Sequence, residues 1–260
     1  MTNLNSIHIV TATNDKYAKH LGVMLNSLLE NKAEKADIQI HIIDGKISSS
    51  NKSNLRRVVN KFKLKVNFLT VDYSLFNGFK VKKNHLSKET YYRIVIPDLM
   101  DKSIKKVLYL DCDLIVKEDI SKLWNTKIDH YHLAAVEKAT LKDSERKALE
   151  IPKGSSYFNA GVLLMNLEKW RDQKISSKVL QYINDNSKKI KYCSQDPLNA
   201  ILHNKWIKLD PKWNYTTRHF KIMPNIKPAI IHFTGQDKPW NKGHPLQHEY
   251  YKYLHTTSWK

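Results

Sequence analysis

Apolar and polar positions repeat with two distinct periods along the first 72 residues of this 260-residue chain. "SIHIVTAT" (6–13), "DIQIHIID" (37–44) and "KVNFLTVD" (65–72) read as strands. Between them, "DKYAKHLGVMLNSLLENK" places Leu21, Met24, Leu25 and Leu28 at helical spacing, and "SSSNKSNLRRVVNKF" offers a Ser N-cap and an amphipathic helix. Strand, helix, strand, helix, strand predicts an α/β fold with a parallel sheet and crossover helices. Further on, "HLSKETYYRIVIPDLM" (85–100) reads as a helix that stops near Pro97. "KKVLYLDCDLIV" (105–116) reads as a fourth strand and "HLAAVEK" (132–138) as a fifth. Residues 139–156 are polar and irregular and predict a mobile loop beside the site. "NAGVLLMNL" (159–167) is a buried segment, and "SQDPLNAIL" starts a helix after Ser194. "PAIIHFTG" (228–235) is a late strand and "LQHEYYKYLHTT" a closing helix. No repeat or linker divides the chain, which predicts a single domain over 1–260 with a short helical tail from about residue 244.

The fourth strand carries an anomaly. Asp111 and Asp113 interrupt an apolar run, and two desolvated like charges are costly without a positive partner. In an extended strand, residues two apart share a face, so the two carboxylates converge roughly 6.6 Å apart at Cα while Cys112 faces away. Such a pair can grip one hard divalent cation. Near the C-terminal part of a strand, it lies where open α/β sheets bind ligands. The same "DCD" also fits two acids salt-bridged to nearby lysines, or the Asp-x-Asp of a haloacid-dehalogenase-type phosphatase, whose first Asp is a nucleophile. That type usually carries its motif near the chain start, with Thr or Val at the place of Ile115.

"HFTGQDKPW" (232–240) adds to the site. His232 can complete a set of metal ligands begun by two carboxylates. Gly235 lets backbone approach a ligand, Lys238 can place a point charge on a phosphate, and Pro239 and Trp240 wall the turn.

Composition changes the picture little. Forty-four Lys and Arg against 25 Asp and Glu give a net charge of +19, which attracts polyanions. The lysines are dispersed, and the short stretches "KVKKN" and "NSKKIKY" lack the interleaved aromatics of a single-strand binder, so nucleic acid is a poor fit. The start "MTNLNSIHIV" is unlike a signal peptide, and no apolar run approaches the ~18 residues of a membrane span. Two cysteines, Cys112 and Cys193, are too few for a disulfide framework and predict reduced thiols in a cytoplasm. The aromatic end "HEYYKYLHTTSWK" reads first as a terminal helix packed on the core, and with the positive surface it also suits a peripheral contact with anionic lipid at the inner membrane face.

Six segments in order, "IVTATNDKYA", "TYYRIVIPDLM", "KVLYLDCDLIV", "YFNAGVLLMNLEKW", "SQDPLN" and "IHFTGQDKPW", span roughly residues 7 to 242 and resemble glycosyltransferase family 8. This family includes bacterial lipooligosaccharide galactosyltransferases and glycogenin. The resemblance implies a GT-A fold, a Rossmann-like mixed sheet flanked by helices that binds a nucleotide-sugar and Mn²⁺, with Mg²⁺ as the alternative ion. It implies Asp111, Asp113 and His232 as metal ligands. It places uridine against Ala12, Thr13 and Asn14, with Tyr17 as a stacking face or as plain helix core. Arg93 would reach the donor near its phosphates and sugar. Asn159, Ala160, Gly161 and Ser194 would lie along the donor sugar, and Gln195 under the anomeric carbon, with Asp196 supporting from behind. The chain departs from the family pattern at Asn14, where Asp is frequent, at Lys16, where Asn is frequent, and at Ser194, where an acid is frequent. The implied activity is retaining transfer of galactose or glucose from a UDP-sugar to a glycan, lipid-linked or glycoprotein acceptor. The rivals are the Asp-x-Asp phosphatase and a basic module that binds nucleic acid or membrane without catalysis.

Overall fold

The computed structural model describes residues 6–138, 141–241 and 243–259. Its strands, in chain order, are β1 Ile7–Asn14, β2 Ile38–Gly45, β3 Val66–Leu69, β4 Lys106–Leu110, β5 Leu114–Val116, β6 Leu133–Ala135, β7 Val162–Asn166, β8 Trp206–Lys208, β9 Tyr215–Thr216 and β10 Ile230–His232. Seven of them form one sheet in the order β3-β2-β1-β4-β7-β6-β8, and β5, β10 and β9 form a small second sheet. β1 runs parallel to β2 and β4, while β7 runs antiparallel to both β4 and β6, so the sheet is mixed. The chain moves outward from β1 through β2 to β3, then returns to place β4 on the other flank of β1. That reversal is a topological switch point, where open α/β sheets leave a crevice at the strand ends.

Burial explains the sequence pattern. The first seven residues of β1 are buried, because helices cover both faces of the sheet. On one face Ile7 and Ile9 meet Leu21, Met24, Leu25 and Leu28 of the helix Ala18–Glu30. On the other, Val10 and Ala12 join Tyr91, Tyr109 and Trp170. Ser48 caps the helix Ser49–Asn60 by accepting from the Asn51 amide, as its sequence predicts.

Three expectations change. Residues 105–116 are two strands in different sheets, and the acids occupy the bend between them. Pro97 does not stop a helix. A 3-10 helix, Lys88–Val95, passes into an α-turn, Ile96–Leu99, whose first turn holds Pro97 where its missing N–H costs nothing. Within 139–156, residues 139 and 140 lie outside the described residues. The remainder is only partly irregular: Asp143–Ala148 form a helix flanked by Leu141, Leu149 and Ile151, which pack with Tyr157, and 149–156 are turns and coil. The closing helix, Gln247–Leu254, packs on the core, one of the two readings given for the end of the chain. Tyr250, Tyr253 and Leu254 cluster with Val23, Ile115, Ile231 and Phe233. No helix among the described residues is long and apolar enough to cross a membrane.

β1 and β2 also bury a histidine pair. His8 Nδ1 and His41 Nε2 lie 3.2 Å apart. Burial pushes both pKa values down, that of His41 to about 4, with His8 adding to the effect. A folded-state pKa below the unfolded value favours the neutral form. The pair's contribution is therefore complete above pH ~6.5 and lost as pH falls toward about 4. The melting temperature should drop between pH 7 and pH 5 by several degrees, about 1–3 kcal/mol in all. His41→Gln should flatten that slope, and an unchanged slope would exclude the pair as its source.

Candidate active site

The site forms where β4 ends. After Leu110 the chain bends through Asp111–Asp113, and its backbone is fixed on both sides. The Asp111 amide donates to the Gly161 carbonyl at 2.8 Å, and the Phe233 amide donates to the Asp113 carbonyl at 3.1 Å. β10 then runs antiparallel to β5 with His232 opposite Leu114, which carries the imidazole to the two acids. Its Nε2 lies 3.4 Å from Asp113 Oδ1 and 3.8 Å from Asp111 Oδ2.

The tautomer follows from the other ring nitrogen. His232 Nδ1 lies 2.8 Å from Asn214 Oδ1, and the Asn214 amide donates to Asn159 Oδ1 at 2.8 Å. An amide oxygen only accepts, so Nδ1 carries a proton and Nε2 is the ring nitrogen that faces the two carboxylates. All three ligand atoms lie within 4.8 Å of one another. Two atoms each ~2.1 Å from one ion at ~90–110° are about 3.0–3.5 Å apart, so the cluster is close to the size a divalent ion requires. Two hard oxygens and one borderline nitrogen fit such an ion by chemistry as well.

Two cations stand behind the acids. Arg93, 3% exposed, donates through Nη2 to Asp111 Oδ1 at 2.7 Å and through Nη1 to the Ala160 carbonyl. Its guanidinium also lies over the Tyr109 ring, 4.5 Å from the centroid, and the Tyr109 hydroxyl donates to the same Asp111 oxygen. Lys238, 5% exposed, donates to Asp113 Oδ2 at 2.5 Å and to the Phe233 carbonyl at 2.7 Å. Burial alone would raise the Asp113 pKa, but Lys238 and His232 outweigh it and hold the carboxyl far below the usual range. Burial opposes the Lys238 charge, and Asp113 reverses that, so Lys238 is raised. Asp111 is thus paired with Arg93 and Asp113 with Lys238, one cation behind each acid.

These groups floor a cavity of about 360 Å³, a volume suited to a small organic ligand. Most sequence-predicted residues line it: Ala12, Thr13, Asn14, Tyr17, Arg93, Asn159, Gly161, Ser194, Gln195, Gly235 and Lys238 all do. Tyr17 resolves as cavity wall, not helix core, set edge-on to Trp240. Trp240 in turn stacks on His20 with centroids 3.5 Å apart. Asn14 uses its oxygen on the Tyr17 amide and its NH₂ on Glu89. Gly235 has φ +89, a conformation that favours glycine.

Some details differ from the expectation. Ala160 does not line the cavity; it is buried in the core and acts through its backbone, accepting from Arg93 and donating to Gln195 Oε1 at 3.1 Å. Ser194 lines the cavity, but its hydroxyl donates to the Thr90 carbonyl at 2.7 Å. Gln195 is held between Ala160 and the Tyr157 hydroxyl. Asp196 fixes that hydroxyl and accepts two backbone amides, from Lys191 and Tyr192, the supporting place the sequence suggested.

Sequence reasoning missed Asn214, Tyr109 and His85. Asn214 sits in an unremarkable "KWNYTT". His85 lines the cavity with a buried Nδ1 that has no partner, and burial first and Lys238 second push its pKa down. An unpartnered polar atom at the wall suits a polar ligand.

The profile of the family described as Glycosyl transferase family 8 matches residues 8–243. General stress protein A of Bacillus subtilis (strain 168) is 39% identical over 97% of this chain and 94% of its own length. The lipopolysaccharide 1,2-glucosyltransferase of Escherichia coli (strain K12) is 29% identical over 67% of this chain and 56% of its own. The crystal structure of the galactosyltransferase LgtC, in complex with donor and acceptor sugar analogs, superposes with a TM-score of 0.90 at 24% identity, covering 97% of this chain and 96% of that one. The GT-A architecture is thereby established, and with it the chain belongs to glycosyl transferase family 8.

Proposed function

We propose that the protein is a retaining glycosyltransferase that moves galactose or glucose from a UDP-sugar to a glycan, lipid-linked or glycoprotein acceptor, with Mn²⁺ held by Asp111, Asp113 and His232. The observation that carries the reading is the convergence of His232 Nε2 with the carboxylates of Asp111 and Asp113 on the floor of the cavity. A divalent cation satisfies all three groups, and the mixed oxygen and nitrogen set suits Mn²⁺ better than Mg²⁺. When bound, the ion supplies positive charge for the diphosphate that leaves.

The chain's own residues do the remainder. Ala12, Thr13 and Asn14 border the space for the uracil and ribose, and Tyr17 offers a ring face there. Lys238 adds fixed positive charge beside the departing β-phosphate, in a site already shielded from water. Arg93 locks Asp111 and, through the Ala160 carbonyl, the segment that carries Asn159. The Gln195 amide is a poor nucleophile, and its carbonyl dipole stabilises positive charge at the anomeric carbon electrostatically. The bond from that carbon to the β-phosphate oxygen breaks as the bond to an acceptor hydroxyl forms on the same face. UDP departs, and the hydroxyl proton leaves with the diphosphate.

Thermal shift tests the reading. UDP-galactose or UDP-glucose with Mn²⁺ should raise the melting temperature by roughly 5–10 °C at ~100-fold excess over Kd, and slow donor hydrolysis should name the sugar. ADP- and GDP-sugars should give little shift. Equal shifts with and without Mn²⁺, or none with any UDP-sugar, would overturn it.

A further inference from the structure

Beyond the metal centre the cavity changes character. Lys83, Lys138 and Arg218 line its outer wall together with Tyr192. Lys138 Nζ sits over the Tyr192 ring, 3.9 Å from the centroid, and 5.5 Å from that of Tyr157. Lys83 Nζ approaches the same Tyr192 ring at 5.9 Å. The Lys138 ammonium is held below its ordinary pKa chiefly by burial, with Arg218 and Lys83 pushing the same way against Asp196 and Glu145.

The acids nearby are already engaged. Glu137 pairs with Lys208 at 2.9 Å and Glu145 with Lys191 at 3.2 Å. Asp196 is used by the Tyr157 hydroxyl and two backbone amides. Among the described residues, none of the three outer cations has a carboxylate within 4.0 Å, whereas the inner cations Arg93 and Lys238 are paired at 2.7 and 2.5 Å. The inner centre is balanced and the outer wall is not.

The wall also lies on a definite side. The Lys138 amide donates to the Tyr157 carbonyl, and the Tyr157 hydroxyl joins Gln195 and Asp196. Lys138 is therefore tied to the Gln195 end of the cavity, with Lys83 sharing the Tyr192 ring beside it and Arg218 on the same lining. A group approaching Gln195 from outside passes them. Partly desolvated ammonium groups on aromatic faces, beside a guanidinium, suit a compact multivalent anion.

We propose that Lys83, Lys138 and Arg218 form the acceptor subsite of this enzyme and select an acceptor that carries a phosphate group near the hydroxyl it presents. This rests on the transferase reading, and the test separates the two. Calorimetry on the enzyme saturated with UDP and Mn²⁺ establishes the donor site first, and only then are acceptor probes added. Glucose 6-phosphate should bind at least about tenfold more tightly than glucose, with an affinity that falls steeply with salt. Lys83→Gln with Lys138→Gln should remove most of that preference while UDP still stabilises the protein. Equal binding of glucose and glucose 6-phosphate, or a preference that survives the double substitution, would overturn the proposal. So would glucuronate binding as tightly as glucose 6-phosphate, since the subsite would then read charge alone. Micellar decyl phosphate outcompeting glucose 6-phosphate would support a lipid-borne phosphate, and the reverse order would support one on a soluble glycan.

Discussion

Asp113→Asn should lower transfer and donor hydrolysis by about 10³-fold or more, the scale of losing a Lewis-acid ion from a phosphate-leaving reaction. The substitution keeps the side-chain volume and removes one charge from a balanced set. At present Asp111 and Asp113 face Arg93 and Lys238, a net charge of zero. A divalent ion brings the wild-type floor to a net +2, which complements a diphosphate. With Asn at 113, the floor carries +1 before any ion arrives and offers one carboxylate where there were two. UDP alone should then bind as well as or better than it does to the ion-free wild-type protein, while the gain from added Mn²⁺ disappears. Titrating UDP with and without Mn²⁺ reads both effects. The fold should survive, because Lys238 keeps its bond to the Phe233 carbonyl. A variant that retained wild-type turnover in chelator-treated buffer would remove the metal from the reading altogether.

The parallel half of the fold was legible because β1, β2 and the helix that follows each of them obey simple periods. The break in 105–116 was not. Leu114–Val116 is as apolar as the residues before it, and only pairing with the distant β10 pulls it into another sheet. The conclusion drawn from continuous alternation, that Asp111 and Asp113 converge, survived for a different reason. A bend brings them together, and Gly161 and Phe233 hold its two ends. The helix Ile175–Asn186 had a readable spacing in Ile175, Val179 and Ile183 that was passed over. Asn214 could not have been found, since its role exists only through His232 and Asn159, 18 and 55 residues away. Ser194 shows the opposite limit. Its place at the cavity was legible, but its hydrogen bond to Thr90 depends on a 3-10 turn that no local pattern announces. Family membership displaces both rivals, the phosphatase and the non-catalytic basic module.

Gly161→Ala tests the geometry of the site without touching a ligand. A Cβ at this position would lie 2.8 Å from both Asp111 Oδ2 and His232 Nδ1, with His232 Cε1 closer still. Neither neighbour can yield freely. Asp111 is bound at its other oxygen by Arg93 and Tyr109, and His232 is fixed through Nδ1 by Asn214. A single methyl group must therefore pry the imidazole from the carboxylates or shift β7 against β4. Overpacking of this kind costs about 1–3 kcal/mol, a loss of several degrees in melting temperature for a chain of this size. The effect on turnover should be larger, about 10²-fold or more, because a displacement near 1 Å at the reacting groups is enough for that. Gly78→Ala is the matched control: its φ of +80 makes a side chain costly, but no atom lies within 4 Å of the added Cβ. It should lose about 1 kcal/mol of stability and keep its turnover. If both alanine variants lost stability alike and neither lost Mn²⁺-dependent hydrolysis, the contact between Gly161 and the two ligands Asp111 and His232 would not govern the chemistry. A loss confined to Gly161→Ala would tie catalysis to the spacing of Asp111, Asp113 and His232.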